Sequence, residues 1–488
     1  MKKKQLIHSF PASTPPTVLT IFGATGDLAT KKLLPTLVHM DHHGLLPKSF
    51  RLVAVGRRDL SVKTFLSLVQ KNTEEKLTLA SVKKFARLVT YFRGDFENPT
   101  SFGPLAKVLE DKMLGKDTGH VCYNRLYYFA TSPEYFENIA RILKAQGLLI
   151  GCEEHMRTIR VLVEKPFGFD SKSAHSLNKI LFTFFREEQI YRIDHFLGKE
   201  TVQNLFTMRF ANAFLEPLWH HKFVDHIELS VLNADSVDSR IVFYESVGAI
   251  RDVFQNHILQ MLALVAMEPP HSMTTHDIRD AKAKVLKSIQ GYTKSSILES
   301  VVRGQYAGYS EVAGRKSKTE TFIALKMFVN NPRWRGVPFY IRTGKALAEK
   351  VTEISIHFKK NKSVLYIPSA VHGNVLSFRV QPDERVSMQF NNKVPGFGMQ
   401  LHKANLNFNY SEFSVEIPGA YERLLLDFFQ GDQRLFIRTD EIEAAWKFVD
   451  NIRALWQELP LHEYLAGSTG PVAADKLIAQ DKREWWTK

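Results

Sequence analysis

A short apolar strand pattern, Val18-Leu-Thr-Ile-Phe22, runs directly into a glycine turn, Gly23-Ala-Thr-Gly-Asp-Leu-Ala29. Apolar residues at helical spacing follow at Leu33, Leu34, Leu37 and Val38. Few folds accommodate that order. Strand, tight turn and helix N-terminus open a parallel βαβ layer, and outward backbone N–H groups with the positive helix end favour a pyrophosphate. Gly23 and Gly26 alone are weak markers, since glycine turns between a strand and a helix are common. Their place after an N-terminal apolar strand is what points to a dinucleotide. Asp27 is unexpected so close to a phosphate.

A second strand pattern, Arg51-Leu-Val-Ala-Val55, ends in Gly56-Arg57-Arg58. An acidic residue at this strand end bonds a ribose 2′-hydroxyl and repels a 2′-phosphate. Arg57 and Arg58 instead supply two cations suited to a phosphate dianion. The alternative is a solvated basic turn, and Asp59 leaves the cofactor choice open.

Strand patterns at 126–130 and 160–163, alternating with helical stretches, indicate a parallel α/β sheet. The character changes after about residue 220. Ile227, Leu229 and Val231 alternate with polar residues, as do Ile354, Ile356 and Phe358. So do Leu376, Phe378 and Val380, and then Leu406, Phe408 and Tyr410. Half-buried strands in series predict a large, mainly antiparallel sheet with helices over one face. Those helices are expected at 250–267, 421–430 and 441–456. The fold class is thus α/β followed by α+β. A loose tail (1–16) precedes a Rossmann-like dinucleotide-binding domain (17–192) and a larger α+β substrate-binding and oligomerisation domain (193–488).

The 488 residues are 44% hydrophobic and 24% charged, which excludes a disordered or collagen-like chain. A chain this long buries on the order of three-quarters of its unfolded surface and needs no staple. Cys122 and Cys152 could form one bridge at most, so no cysteine-rich metal site is expected and a reducing compartment fits. No apolar run approaches the ~18 residues of a membrane span. The start, MKKKQLIHSFPASTPP, has the basic opening of a signal peptide without its apolar stretch. A cytoplasmic protein is the expectation. Net charge is +14, but the basic runs Lys2–Lys4 and 359–362 are short and no nucleic-acid motif accompanies them. The charge reads as solvated surface, or as attraction for a phosphorylated substrate and cofactor. Neither nucleic acid nor membrane is an expected partner.

Two further segments could carry chemistry. In Arg192-Ile-Asp-His-Phe-Leu-Gly-Lys-Glu200, the spacing of Val202, Leu205 and Phe206 puts His195 and Lys199 near a helix N-terminus, a ready anion site. Taken alone, Lys199 is also a fitting surface lysine. Ile250-Arg-Asp-Val-Phe-Gln-Asn-His-Ile-Leu-Gln260 reads as an amphipathic helix in which His257 is a functional or a core-edge histidine.

GATGDLA, EKPFG (164–168), YRIDHFLGKETVQNL (191–205), RDVFQNHILQ and RTGKAL (342–347) occur together, in an order similar to that of glucose-6-phosphate dehydrogenases. So do Arg379-Val-Gln-Pro382, Ala420-Tyr-Glu-Arg-Leu-Leu425, and Tyr464-Leu-Ala-Gly467 with Gly470-Pro471. The resemblance covers the chain from about residue 17, and RIDHFLGKE with RDVFQNH is its most specific part. It implies oxidation of the anomeric carbon of glucose 6-phosphate to the 6-phosphogluconolactone with reduction of NADP, in a homodimer or homotetramer without a metal. It implies that His257 is the general base and Asp194 the carboxylate that orients it. It makes His195 and Lys199 phosphate ligands and Lys165 a residue shared by substrate and cofactor. Asp252, Lys345, Lys350 and Gln381 become further sugar or phosphate contacts. Gly23, Ala24, Thr25, Gly26, Asp27 and Leu28 match the cofactor's phosphate turn. Arg57, with Arg58 beside it, matches the 2′-phosphate arginine, and Ser132 and Pro133 the loop along the nicotinamide. Arg379 falls at a position some relatives use for a second, structural NADP.

The chain also departs from that pattern. Phe196 stands where tyrosine is common, removing a phosphate-contacting hydroxyl. Asn233 replaces a substrate-contacting glutamate, which keeps hydrogen bonding but loses the charge. The paired glycines after Arg240 are absent, and Lys350 replaces a frequent arginine. Substrate affinity and sugar specificity are the properties these changes touch. The rival from another class is a dinucleotide sensor without turnover, against which the intact Lys165, Asp194, Lys199 and His257 argue.

Overall fold

The computed structural model describes residues 15–73, 77–113, 123–150, 159–361, 372–413 and 417–486. Most of the expected tail, together with Cys122 and Cys152, lies outside them. The first sheet holds β1 (Thr17–Phe22), β2 (Phe50–Gly56), β3 (Val89–Arg93), β4 (Asn124–Phe129), β5 (Ile159–Val163) and β6 (Ile190–Arg192). Its order is β3-β2-β1-β4-β5-β6 and every pairing is parallel. Such a sheet is buried on both faces, which is why its strands are nearly continuous apolar runs. Leu19, Ile21, Leu52 and Leu126 face one layer, and Val18, Phe22, Val53 and Phe129 the other.

The second sheet holds β7 (Val224–Leu232), β8 (Val301–Tyr306), β9 (Phe322–Phe328), β10 (Pro338–Gly344), β11 (Val351–Phe358), β12 (Val375–Gln381), β13 (Arg385–Lys393), β14 (Leu401–Asn409) and β15 (Leu461–Tyr464). The order is β14-β13-β12-β11-β7-β10-β9-β8-β15. Pairing is antiparallel except at β7–β10 and β8–β15. Ile227, Leu229, Ile354, Ile356, Leu376 and Phe378 join one core with Leu205, Leu262 and Val449 of the overlying helices. Fully burying each such side chain contributes about 1.5–3 kcal/mol. The expected alternation fails to bury one strand. Leu406 and Phe408 of β14 are exposed, because β14 is the sheet edge, and Tyr410 falls just past the strand.

The chain does not stay within the two expected segments. The helix Ala420–Gln430 crosses back, and its Leu424, Leu425 and Phe428 pack on the first sheet with Leu19 and Ile21. At the junction the fully buried Arg192 donates to Glu187 Oε1 at 2.8 Å, Asn178 Oδ1 at 3.1 Å and Thr439 Oγ1 at 2.8 Å. Removing one partner of so buried a network costs about 3–5 kcal/mol. This network fixes the end of β6, from which the Asp194 loop departs. No helix among the described residues is long and apolar enough to cross a membrane.

Candidate active site

Asp194 and His257, 63 residues apart in sequence, are in direct contact. His257 Nδ1 lies 2.5 Å from Asp194 Oδ1, and both residues are buried. The Phe196 N–H also donates to Asp194 Oδ1, at 2.9 Å. The other imidazole nitrogen, Nε2, lies 3.0 Å from Lys165 Nζ. An amine that donates there requires an unprotonated Nε2, so Nδ1 carries the proton and donates a hydrogen bond to the carboxylate. His257 is thereby held in the tautomer of a base, its lone pair beside a cleft of about 280 Å³.

The segment carrying His257 is wound unusually. Residues Ile250–Ile258 form wide turns with hydrogen bonds five residues apart, and regular helix resumes at Leu259–Ala266. Such widening is rare and is frequent at functional sites. It puts Asp252 and His257, five residues apart, on one side of the segment. Both line the cleft. The Asp252 carbonyl accepts from Lys165 Nζ at 3.0 Å and from Asn256 Nδ2 at 3.2 Å. Its carboxylate lies 3.7 Å from Lys165, 3.9 Å from Lys345 and 3.9 Å from Arg240.

The charges follow from this packing. Burial pushes the His257 imidazole below its ordinary value, and Lys165 adds to that against the pull of Asp194. Burial alone would raise Asp194, but the imidazoles of His257 and His195 and the Phe196 N–H hold it at about 2. The site therefore rests as carboxylate beside neutral imidazole. Burial and the neighbouring His257 likewise push His195 down to about 3, so it serves as a neutral hydrogen-bonding group. Asp252 is lowered: burial opposes ionisation, and Lys165, Lys345 and Arg240 overcome it.

Lys165, His195, Asn233, Asp252, His257, Lys345, Lys350 and Gln381 all line the cleft. Lys199 is not among the residues lining the cleft; it stands at the N-cap position of the helix Glu200–Phe210 without a side-chain capping bond, its Nζ 6.0 Å from the centre of the Phe196 ring. Burial lowers Lys199, with Glu384 opposing and Lys350 adding. Lys350 itself is largely exposed and pairs with Asp235 at 3.2 Å. The departures acquire a geometry. Asn233 Oδ1 accepts the Asp235 N–H at 2.9 Å, so its carboxamide oxygen is used in a turn. The Phe196 ring stacks on His257 with centroids 4.3 Å apart and planes at 27°. Phe196 thus helps to set the imidazole plane, beyond lacking a hydroxyl. Arg240 and Tyr244 also line the cleft, although neither was among the expected contacts. Glu164 accepts from the Tyr128 hydroxyl at 2.5 Å and the Tyr421 hydroxyl at 3.3 Å, which ties the returning helix to the Lys165 loop.

After β1 the glycine turn has the form a dinucleotide requires. Gly23 has φ +86°, and a Cβ there would lie 2.7 Å from the Ala130 carbonyl, so only glycine fits. Gly26 and Asp27 are exposed at the tip, where Asp27 pairs with Lys31 at 2.7 Å and its charge is offset. A Cβ on Gly56 would meet Thr25 at 3.1 Å, so the end of β2 abuts the turn. Arg57 and Arg58 are exposed there, while Asp59 lies 3.5 Å from Arg93. These residues fit a pyrophosphate on the turn and a 2′-phosphate on the arginines. Pro133 lines an apolar cleft of about 450 Å³ with Gly168 and Phe169. Arg379 lies elsewhere, paired with Glu353 at 2.8 Å beside Trp486.

Two family models span nearly the whole chain. That for the NAD binding domain of glucose-6-phosphate dehydrogenase matches residues 20–204, and that for its C-terminal domain residues 206–486. The chain is 39% identical to glucose-6-phosphate 1-dehydrogenase of Borreliella burgdorferi over 485 residues, covering 96% of this chain and 98% of that one. Among solved structures it is similar to the Mycobacterium avium glucose-6-phosphate 1-dehydrogenase (TM-score 0.84, 34% identity, 98% of this chain and 99% of that chain). It is similar also to a glucose-6-phosphate dehydrogenase in complex with glucose 6-phosphate (TM-score 0.87, 32% identity, 97% and 99% of the two chains).

Proposed function

The chain belongs to the glucose-6-phosphate dehydrogenase family, and we propose that His257 takes the proton of the anomeric hydroxyl in its reaction. That reaction oxidises glucose 6-phosphate at the anomeric carbon, giving 6-phosphogluconolactone and NADPH, the first oxidative step of the pentose phosphate pathway. NADP, when bound, supplies the hydride acceptor. The supporting observation is the chain from Asp194 through His257 to Lys165 at the cleft. For Nε2 to take the proton, the sugar hydroxyl replaces Lys165 Nζ on its single lone pair, and the Asp194 carboxylate then stabilises the imidazolium, the orienting logic of a hydrolytic triad. Lys165, 3.0 Å from the base, then holds the sugar hydroxyl beside it. Asp252, Lys345 and Gln381 hold the sugar hydroxyls, and His195, Lys199 and Lys350 the phosphate. The enzyme fits a cytoplasmic homodimer or homotetramer, in which the exposed Leu406 and Phe408 of β14 would face a second copy. A steady-state assay with glucose 6-phosphate against NADP and NAD in parallel tests the assignment; no reduction of either cofactor would refute it.

Two substitutions separate the binding roles. Lys199→Ala should raise KM for glucose 6-phosphate by about 10- to 100-fold, the value of a hydrogen bond to a charged group. Its deficit for free glucose should be much smaller, and an equal loss for both sugars would remove Lys199 from the phosphate site. Arg57→Ala should raise KM for NADP about tenfold or more and leave KM for NAD nearly unchanged. Equal effects on both cofactors would place Arg57 on the shared pyrophosphate or in the fold.

A further inference from the structure

We propose that Glu320 is a positioning residue for the segment that carries Asp252 and His257, acting through its carboxylate charge. The proposal rests on the reading of His257 as the base. Glu320 is 5% exposed and precedes β9. Its Oε1 accepts the Ile250 N–H at 3.1 Å, and its backbone carbonyl accepts the Ala249 N–H at 3.0 Å. The chain therefore enters the wide-wound segment with successive N–H groups ending on one residue. Helix N-termini leave such groups unpaired and favour an anion beside them.

Gly248 makes the approach feasible. It has φ +63°, and a Cβ there would lie 2.3 Å from Glu320 Oε1 and 2.7 Å from Oε2. The carboxylate occupies the space that any other residue would fill. The charged and titratable groups facing it are Arg251 on the segment itself, Arg303 on β8, Tyr244 on the preceding helix, and Tyr309. Arg303 donates instead to the Leu459 carbonyl and Arg251 to the Ser246 carbonyl. Among the described residues Glu320 forms no ion pair within 4.0 Å. Burial pushes its carboxyl up to about 7, against the Ile250 N–H and the two arginines. Around neutrality it thus passes between a charged anchor, which grips the Ile250 N–H strongly, and an uncharged one. Displacements of about 1 Å at a reacting group cost on the order of 100-fold in rate, so the strength of this anchor bears on turnover.

Glu320→Gln keeps the shape and removes the charge, and two readouts follow. The ratio of wild-type to variant kcat/KM at saturating NADP should be near one at pH 5.5 and rise to about tenfold above pH 8. The limb belonging to His257 is common to both proteins and cancels in the ratio. Glu320→Asp should restore part of the rise. Stability should move in the opposite sense. The folded pKa lies above the unfolded value, so ionising Glu320 costs stability as pH rises from about 4.5 towards 7. The Gln variant should therefore melt above wild type at pH 8.5 and with it at pH 4. A ratio that stays flat with pH, or a variant that melts below wild type at pH 8.5, would overturn the proposal. Failure of the base assignment would show separately, as unchanged turnover in a His257 variant.

Discussion

His257→Asn is expected to lower kcat about 100- to 10,000-fold, the usual contribution of a positioned general base. The dissociation constant of glucose 6-phosphate should change little, because the side chains proposed to hold the phosphate and sugar are other ones. Asparagine keeps a polar group near Asp194 but has no nitrogen lone pair to receive the hydroxyl proton. The acid limb of kcat/KM that persists in Glu320→Gln reports protonation of this imidazole in the free enzyme. It should lie below the ordinary histidine value, because burial and Lys165 disfavour the charged ring. Rapid-mixing measurement of cofactor reduction separates chemistry from product release. Turnover at the wild-type rate would remove His257 from the mechanism.

Asp194→Asn should be almost as damaging, through a different fault. The wild-type carboxylate only accepts, so it forces the proton onto His257 Nδ1 and leaves Nε2 an acceptor, facing Lys165 Nζ at 3.0 Å. An amide can turn its NH2 towards Nδ1 and drive the proton to Nε2. There it would oppose the Lys165 amine, donor against donor, and the base would be lost. We expect kcat to fall about 1,000-fold or more with the fold intact. Stability carries a second signature. The folded pKa of Asp194 lies at about 2, below the unfolded value. Its contribution is therefore present above about pH 4 and lost as pH falls towards 2. The variant should melt below wild type at neutral pH, with the gap closing in acid. Near-normal turnover would show that tautomer control is not what Asp194 provides.

The sequence discloses the parts of this protein whose physics is local. The strand–glycine–helix unit at 18–38 is legible because Gly23 must be glycine where it nearly touches the Ala130 carbonyl. The alternation at Ile227, Leu229 and Val231 is legible because one face of that strand is under helices. The same alternation at Leu406 and Phe408 misleads, since nothing in the sequence says that β14 ends the sheet. The site is only half visible for a related reason. Lys165 and His257 are 92 residues apart and Glu164 and Tyr421 are 257 apart, so no spacing rule joins them. The residue types do hint at roles, and family resemblance supplied the pairing. Phe196 reads in the sequence as a missing hydroxyl, whereas its stacking on His257 appears only once the Asp194 loop is folded over segment 250–258. Asp59 reads as ambiguity over the cofactor until Arg93, on the next strand, is found beside it.

The wide winding of 250–258 makes the distance between Asp252 and His257 a property of pitch rather than of residue choice. In a regular helix five residues advance about 500°, which would leave Asp252 and His257 some 140° apart around the axis. Copying the Asp-x-x-x-x-His string into an ordinary helix of another scaffold would therefore separate the two side chains. Conversely, a deletion of one residue between 253 and 256 would bring aspartate and histidine to the i, i+4 spacing that a regular helix aligns. Such a chain could keep both groups on one side only by rewinding the whole turn, and the histidine would reach the cleft at a different height. An engineer who wished to move this active site would have to carry over its coil along with its letters.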